Sequence, residues 1–202
     1  MIKKHKTFGP NGYRKNLEDM KAEGYRPATI QESISIASDG FGLEGEFDAK
    51  RDIFDPKWLQ LGYLVKTSEG VFTNTALTDE NFLKGLLNAT KKVNGIYLID
   101  SKTAFAPYET FKSGEQDSET FCEGGLARAL EHTEEEVAEN FKEISSLKHY
   151  RRGVNVLGFD GVKEPVSRVA GLDSNRRDLV GVGIDIVSYV WDGGGGCAFG
   201  LL

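Results

Sequence analysis

The sequence is poor in the residues that build disulfide scaffolds and metal sites. Its 202 residues include two cysteines and three histidines. Two cysteines form at most one disulfide, which excludes a disulfide-rich scaffold. His5, His132 and His149 lie far apart and show no ligand spacing, so we expect neither a metal site nor a cofactor.

Long apolar runs and an excess of basic charge are also missing. No stretch approaches the roughly 20 apolar residues that a membrane-spanning helix needs, so we expect no membrane span. Acidic residues outnumber basic ones by 31 to 25, which gives a net charge of −6. Binding to nucleic acid normally requires a basic stripe, and since the sequence has none we expect no nucleic-acid partner.

The sequence also lacks the features of a secretory signal. The first residues, MIKKHK, carry suitable charge, but residues 8–12 follow in place of an apolar run. We therefore expect no signal peptide and a cytoplasmic location by default. A chain of this length buries roughly 70% of the surface of its unfolded form, and we expect a single domain over residues 1–202.

The first two-thirds of the chain show mainly helical patterns. Residues 17–23 predict a short helix, which Gly24 ends. Thr29 and Glu32 match the capping box S/T-x-x-E/Q and predict a helix start. Residues 58–75 then alternate with period two around a turn at 68–70, which predicts a hairpin with one buried face.

Three further elements are predicted before the last third. Thr78 is expected to cap a helix over residues 80–92 with Phe82, Leu83, Leu86 and Leu87 on its apolar face. A strand is predicted over 95–100 and an acidic helix from about Asp117.

A last helix is predicted to follow the capping box of Thr133 and Glu136. Six glutamates surround its start, where acidic side chains are favoured by the helix dipole. We expect them to form a solvated face; they are Glu131, Glu134, Glu135, Glu136, Glu139 and Glu143.

The last third of the chain has a different composition. It contains 11 of the 24 glycines, about twice the density of the preceding part. Short apolar runs at residues 154–160, 164–170, 179–190 and 197–202 predict strands joined by glycine-bearing turns. Helices come early and strands come late without βαβ alternation, so we predict an α+β fold with short antiparallel strands and Gly-rich loops in the C-terminal third.

Neither cysteine has the surroundings of a nucleophile. Glu123 follows Cys122, and a neighbouring carboxylate raises the pKa of a thiol. Cys197 has no histidine within the last 50 residues of sequence to act as its base. We expect both thiols to pack in the structure, and we predict no catalytic residues.

The segment from Leu172 to Gly196 has the composition of a binding surface. Tyr and Trp provide rigid contact area, while Ser, Asn and Gly adapt to a partner. Composition alone leaves a binding loop and a plain structural hairpin equally open. The predicted ligand-binding residues are Asp173, Ser174, Asn175, Arg177, Asp178, Val182, Asp185, Ser188, Tyr189, Trp191, Asp192 and Gly193.

Several motifs resemble known proteins. GYRPAT at residues 24–29 resembles the GWRLPT-type entry from strand to helix in the formylglycine-generating-enzyme branch of C-type lectin-like folds. VSRVAG at 166–171 and CAFG at 197–200 resemble the closing strands of that branch. Residues 108–133 and 151–166 resemble archaeal or archaeal-virus variable proteins of diversity-generating retroelements.

The resemblance implies a function without catalysis. In that family a fixed C-type lectin-like scaffold displays a C-terminal region, diversified by mutagenic reverse transcription, to a ligand. The variable region would be residues 166–202, with Val169, Leu172 and residues 198–201 as fixed scaffold. Tyr189 and Trp191 would be the main energetic anchors. We expect the ligand to be a protein and the chain to be a monomer.

Two other functions remain open at this stage. An enzyme of the formylglycine-generating type would use a thiol, although that chemistry uses two cysteines near this end and the chain has only Cys197 there. A structural subunit would instead pack its C-terminal region against a neighbouring chain.

Overall fold

Helices and strands alternate along the protein in a mixed arrangement. The computed structural model describes residues 4–42, 58–146, 153–175, 183–189 and 195–202, and within them the α+β class is confirmed. Helices α1 to α6 are Tyr13–Ala22, Ile30–Gly42, Glu80–Asn88, Ser118–Glu123, Gly125–Glu131 and Glu139–Ile144. Strands β1 to β12 are His5–Asn11, Arg26–Pro27, Leu59–Lys66, Gly70–Thr73, Lys92–Val93, Ile96–Leu98, Ala104–Pro107, Gly114–Gln116, Val154–Leu157, Val166–Asn175, Gly183–Tyr189 and Gly196–Leu201.

One large sheet organises the molecule. Its strands lie in the order β5-β6-β7-β4-β3-β10-β11-β9-β8, so β10 and β11 occupy interior positions. The predicted hairpin is confirmed, since β3 and β4 pair antiparallel. The expectation of antiparallel strands throughout the last third is wrong for β9, which pairs parallel to β11. β10 pairs with one side of β11, and β9 pairs with the other side, in the direction opposite to that of β10.

The main core lies between this sheet and the helices. Ile34 of α2, Leu64 of β3, Phe141 of α6 and Ile186 of β11 are completely buried in it. The prediction that β3 has a single buried face is wrong, because nearly all of β3 is buried. Its second face packs in another cluster, where Val65 meets residues of β4, β7 and α3.

The two ends of the described chain meet in a third packed region. β12 pairs antiparallel with β1 from His5↔Leu201 to Asn11↔Gly196, and it also pairs with β2. Phe8, Tyr13 and Met20 pack here against Ala198. Neither β1 nor the start of α1 at Tyr13 was predicted from the sequence, because residues 5–12 show no clear periodicity.

The start of α2 agrees with the sequence pattern. The Thr29 backbone N–H donates to Glu32 Oε2 at 3.0 Å, and the Glu32 backbone N–H donates to Thr29 Oγ1 at 3.1 Å. These are the two reciprocal bonds of a capping box. None of the helices in the described ranges is long and apolar enough to span a membrane.

The start of α3 differs from the prediction. Its cap is Asp79, whose Oδ1 accepts the Phe82 N–H at 2.7 Å, and Thr78 lies one residue too early. Phe82 is 48% exposed and does not join the buried face, which Leu83 supplies. The helix is amphipathic as expected, but its rotation relative to the sheet depends on the tertiary contact.

The second predicted capping box does not form. α6 begins at Glu139, after a bend that contains Glu136. Glu131 is 4% exposed and accepts hydrogen bonds from the Phe141 N–H at 2.6 Å and from Asn140 Nδ2 at 3.1 Å. The expectation of a solvated side chain is therefore wrong for Glu131, which serves the N-terminus of α6, and burial raises its pKa.

Candidate functional site

The C-terminal strands β10, β11 and β12 carry the predicted binding region. Asp173, Ser174 and Asn175 end β10, and Asp185, Ser188 and Tyr189 lie on β11. β10 and β11 pair from Val169↔Tyr189 to Asn175↔Gly183. The other predicted residues lie outside the described ranges; they are Arg177, Asp178, Val182, Trp191, Asp192 and Gly193.

A row of polar residues crosses four strands of the sheet. Asp173 lies opposite Asp185, Asp185 lies opposite Asn155, and Asn155 lies opposite Glu115. Ile184 and Ile186 enter the main core, so Asp185 between them faces the other side of the sheet. Asn155 Nδ2 donates to Asp185 Oδ1 at 3.2 Å.

This row includes two residues that sequence reasoning missed. Asn155 and Glu115 belong to β9 and β8, which are distant from the C-terminal strands in sequence. Only the parallel pairing of β9 with β11 places them beside Asp185. No local pattern predicts that pairing, because a parallel partner is not set by a short turn.

Asp185 and Ser188 are less accessible than a contact residue normally is. Asp185 is 6% exposed and Ser188 is 3% exposed. Among the described residues, the buried Ser188 hydroxyl has no hydrogen-bond partner. Ser188 therefore belongs to the buried part of β11, whereas Asp173 is only partly buried.

A second polar group lies beside Ser188. The backbone of Gly158 approaches so closely that a Cβ atom there would lie 2.8 Å from the Ser188 carbonyl oxygen. Lys66 Nζ donates to the Gly158 carbonyl at 2.5 Å. Burial lowers the pKa of Lys66. These contacts fix β11 against the loop that follows β9.

Gly196, at the start of β12, lies in a buried network of hydrogen bonds. Asn16 Nδ2 donates to Gln60 Oε1 at 2.7 Å and to the Gly196 carbonyl at 3.0 Å. Gln60 Nε2 donates to the Asn11 carbonyl at 3.0 Å. A Cβ atom on Gly196 would lie 2.7 Å from Gln60 Cγ, so any larger residue at this position must displace the Gln60 side chain.

Both cysteines are buried. Cys197 is 2% exposed and its N–H donates to the Trp58 carbonyl at 2.9 Å. Cys122 lies near Ser145, with 3.7 Å between Sγ and Oγ, and burial raises the pKa of its thiol. A raised pKa disfavours the reactive thiolate. Within the part of the chain that the structure describes, no three His, Cys, Asp or Glu side chains could together hold a metal ion.

Comparison with known proteins identifies no relative. No protein-family model, curated protein or solved structure matches the chain.

Proposed function

We propose that the chain is a non-catalytic, ligand-binding display protein that presents a diversified C-terminal surface on a fixed scaffold. We also propose that the chain has a C-type lectin-like fold and is related to the variable proteins of archaeal or archaeal-virus diversity-generating retroelements. The ligand it would bind is a protein. The observation that carries the proposal is the way in which the C-terminal strands are anchored.

These strands are held at both ends by buried residues. Residues 184–188 of β11 are all buried, and so are residues 196–201 of β12. The segment 176–182 is bounded by the register pair Asn175↔Gly183. The segment 190–194 is followed by Gly196 in its hydrogen-bonded network. The described frame therefore has ordered pairing or packing on both sides of residues 176–182 and 190–194, which hold half of the predicted contact residues.

The motifs behind the family resemblance are neighbours in space. GYRPAT contains β2, and CAFG lies in β12. The two strands pair at Gly200↔Pro27, and the Ala28 N–H donates to the Phe199 carbonyl at 2.9 Å. The two motifs lie about 170 positions apart in sequence and yet are joined by hydrogen bonds. Their proximity supports the proposal that both belong to one scaffold.

The polar row supports recognition of a protein surface. Asp173 and Glu115 are accessible at its two ends, and Asp185 and Asn155 connect them. Polar groups with fixed geometry provide specificity in an interface, while aromatic residues provide most of the binding energy. The backbone of Tyr189 is held in register opposite Val169.

Two displayed libraries test the division into frame and surface. The first randomises residues 177, 178, 182 and 191–193, and the second randomises the buried positions 169, 172, 198 and 199 as a matched control. We expect most members of the first library to remain protease-resistant and most members of the second to unfold. Selection of the first library against unrelated folded proteins is expected to yield binders. Equal loss of folded members from both libraries would show that the segments are structural.

Comparison of the gene among natural isolates tests the diversification itself. We expect substitutions confined to codons 173–196, next to a reverse transcriptase gene and a near-copy template. A C-terminal region as constant as residues 58–146 would contradict the proposal. Activity of a thiol enzyme that is lost in Cys197→Ser would favour the enzymatic alternative instead.

A further inference from the structure

A cleft opens on the scaffold beside the first turn of α2. Its volume is about 350 Å³, and Tyr13, Tyr63 and Asn74 line it. A second concavity of about 340 Å³ adjoins it, since Thr29 and Lys102 line both. Each volume lies in the range of roughly 300 to 1,000 Å³ that small-molecule sites occupy. We call the first concavity the Tyr63 cleft.

The wall of the Tyr63 cleft is aromatic. The rings of Tyr13 and Tyr63 pack edge to face with centroids 5.0 Å apart and planes at 76°. Tyr13 is 4% exposed, and burial raises the pKa of its hydroxyl, which therefore carries no charge at neutral pH. Tyr63 is only partly buried, so its ring remains available to a planar group in the cleft.

Two basic side chains line the cleft, Arg26 and Lys102, and they differ in whether a carboxylate pairs with them. Arg26 is neutralised, because Nη1 and Nη2 donate to the two carboxylate oxygens of Glu32 at 2.7 and 2.8 Å. Lys102 has no carboxylate within 4.0 Å of its ammonium group among the residues that the structure describes. Lys102 is therefore the cation that a ligand can pair with.

Hydrogen bonds to the backbone of Lys102 hold this residue in place. Asn74 Nδ2 donates to the Lys102 carbonyl at 2.8 Å, while Asn74 Oδ1 accepts the Ile30 N–H at 2.9 Å. Asp100 Oδ1 accepts the Lys102 N–H at 2.8 Å. The turn that carries Lys102 is thus tied to the start of α2 at the mouth of the cleft.

We propose that the Tyr63 cleft binds an aromatic carboxylate. The ring lies against Tyr63, and the carboxylate pairs with the Lys102 ammonium group. An aliphatic acid lacks the ring that packs on Tyr63, and an aromatic alcohol lacks the charge that pairs with Lys102. Both should therefore bind more weakly than an aromatic carboxylate.

This site is separate from the proposed display surface. None of the described residues that line the two concavities belongs to residues 166–202. Diversification of the C-terminal region would therefore leave the cleft unchanged, and every variant would bind the same ligand there. Failure of either proposal leaves the other intact.

An NMR titration of the full chain with benzoate at constant ionic strength tests the site. We expect saturable amide shifts concentrated at Gly62, Tyr63, Asn74 and Lys102, with much smaller shifts for acetate or benzyl alcohol. Lys102→Gln is expected to weaken benzoate binding at least tenfold. Lys91→Gln, an exposed lysine outside the cleft, is the matched control and should bind as the parent does. Equal affinity of the two variants, or equal shifts with benzyl alcohol, would overturn the proposal.

Two peptides distinguish the sources of such a ligand. Gly-Gly-Phe carries a free carboxylate next to an aromatic side chain, and Gly-Gly-Phe-amide lacks the charge. Tighter binding of the free peptide than of benzoate would assign the cleft to a peptide C-terminus, while the reverse order would assign it to a free aromatic acid. If neither benzoate nor the free peptide gives saturable shifts, the proposal is wrong.

Discussion

Arg128 of α5 is a buried cation whose Nε has no hydrogen-bond partner among the residues that the structure describes. Arg128 is 7% exposed. Burial lowers its pKa, and the field of Glu136 opposes that effect. Guanidinium groups nevertheless stay charged in proteins. A buried charge normally requires a paired partner, so this residue destabilises the fold.

Replacing this cation by an apolar side chain is expected to stabilise the protein. Arg128→Met keeps the aliphatic stem and removes the unpaired donors, whose burial costs about 1–3 kcal/mol. We expect urea unfolding to show a gain in unfolding free energy of that order. Arg26→Met removes an exposed arginine and should change stability by no more than about 1 kcal/mol. Destabilisation of Arg128→Met would show that Arg128 finds a partner in solution.

Glu131 makes stability depend on pH. Its pKa is raised above the ordinary value of 4.5, with burial as the main cause, so the folded protein binds this proton more tightly than the unfolded chain does. The contribution of Glu131 to stability is therefore greatest below the unfolded pKa and falls as pH rises through the folded pKa.

The variant Glu131→Gln should remove this dependence. Glutamine keeps an acceptor oxygen for the Phe141 N–H and carries no charge. We expect the unfolding free energy of Glu131→Gln minus that of the parent to increase as the pH rises from 4.5 to 8. Urea unfolding of both proteins at several pH values measures this difference. Glu143→Gln, at another exposed glutamate of α6, is the control and should show no such trend. A constant difference across this range would contradict the prediction.

At the scale of elements, the attachment of β12 depends on one glycine. Gly196 lies against Gln60, whose side chain is held by Asn16 and the Asn11 carbonyl. A methyl group at residue 196 cannot be accommodated unless Gln60 leaves its hydrogen bonds. The glycine run before Cys197 therefore ends at a position with a packing requirement.

A double-mutant cycle measures this requirement. We expect Gly196→Ala to lower the unfolding free energy by about 1–3 kcal/mol, as overpacking does. Truncation in Gln60→Ala removes the atoms that the new methyl group meets. The double variant should therefore be less destabilised than the sum of the two single variants. Additive effects in urea unfolding would show that the two positions do not interact.

The cap of α3 gives a second test at this scale. Asp79→Ala is expected to lower the unfolding free energy by about 1 kcal/mol, because it removes the acceptor of the Phe82 N–H. Thr78→Ala, at the position predicted from sequence, should change it by less than about 0.5 kcal/mol. Urea unfolding of the two variants checks this, and the opposite order would contradict the assigned cap.

Local sequence patterns predicted individual helices and strands, but they did not predict which distant segments come into contact. The capping box at Thr29 and Glu32 is decided by bonds within one turn, so the sequence is sufficient there. The cap of α3 is ambiguous because two capping residues are adjacent. The polar row could not be predicted, since Asn155 meets Asp185 only through a parallel pair of strands.

At the scale of the whole molecule, the chain closes through β12. This strand pairs with β1, β2 and β3, and Phe199 is 1% exposed in the main core. We expect Phe199→Ala to lower the unfolding free energy by about 3–5 kcal/mol. Leu202, which is 77% exposed, is the matched control, and its replacement by alanine should be nearly neutral. Similar urea midpoints for the two variants would contradict this view of β12.

Because β12 follows the segment 190–194 in the chain, folding acts as a check on translation. A frameshift or an early stop codon introduced anywhere upstream removes the strand that joins β1, β2 and β3. Such products lack Phe199 and Leu201 and leave the first strand unpaired, which makes them substrates for proteolysis. A gene must therefore keep its reading frame through the codons of β12 to encode the strand that closes the fold.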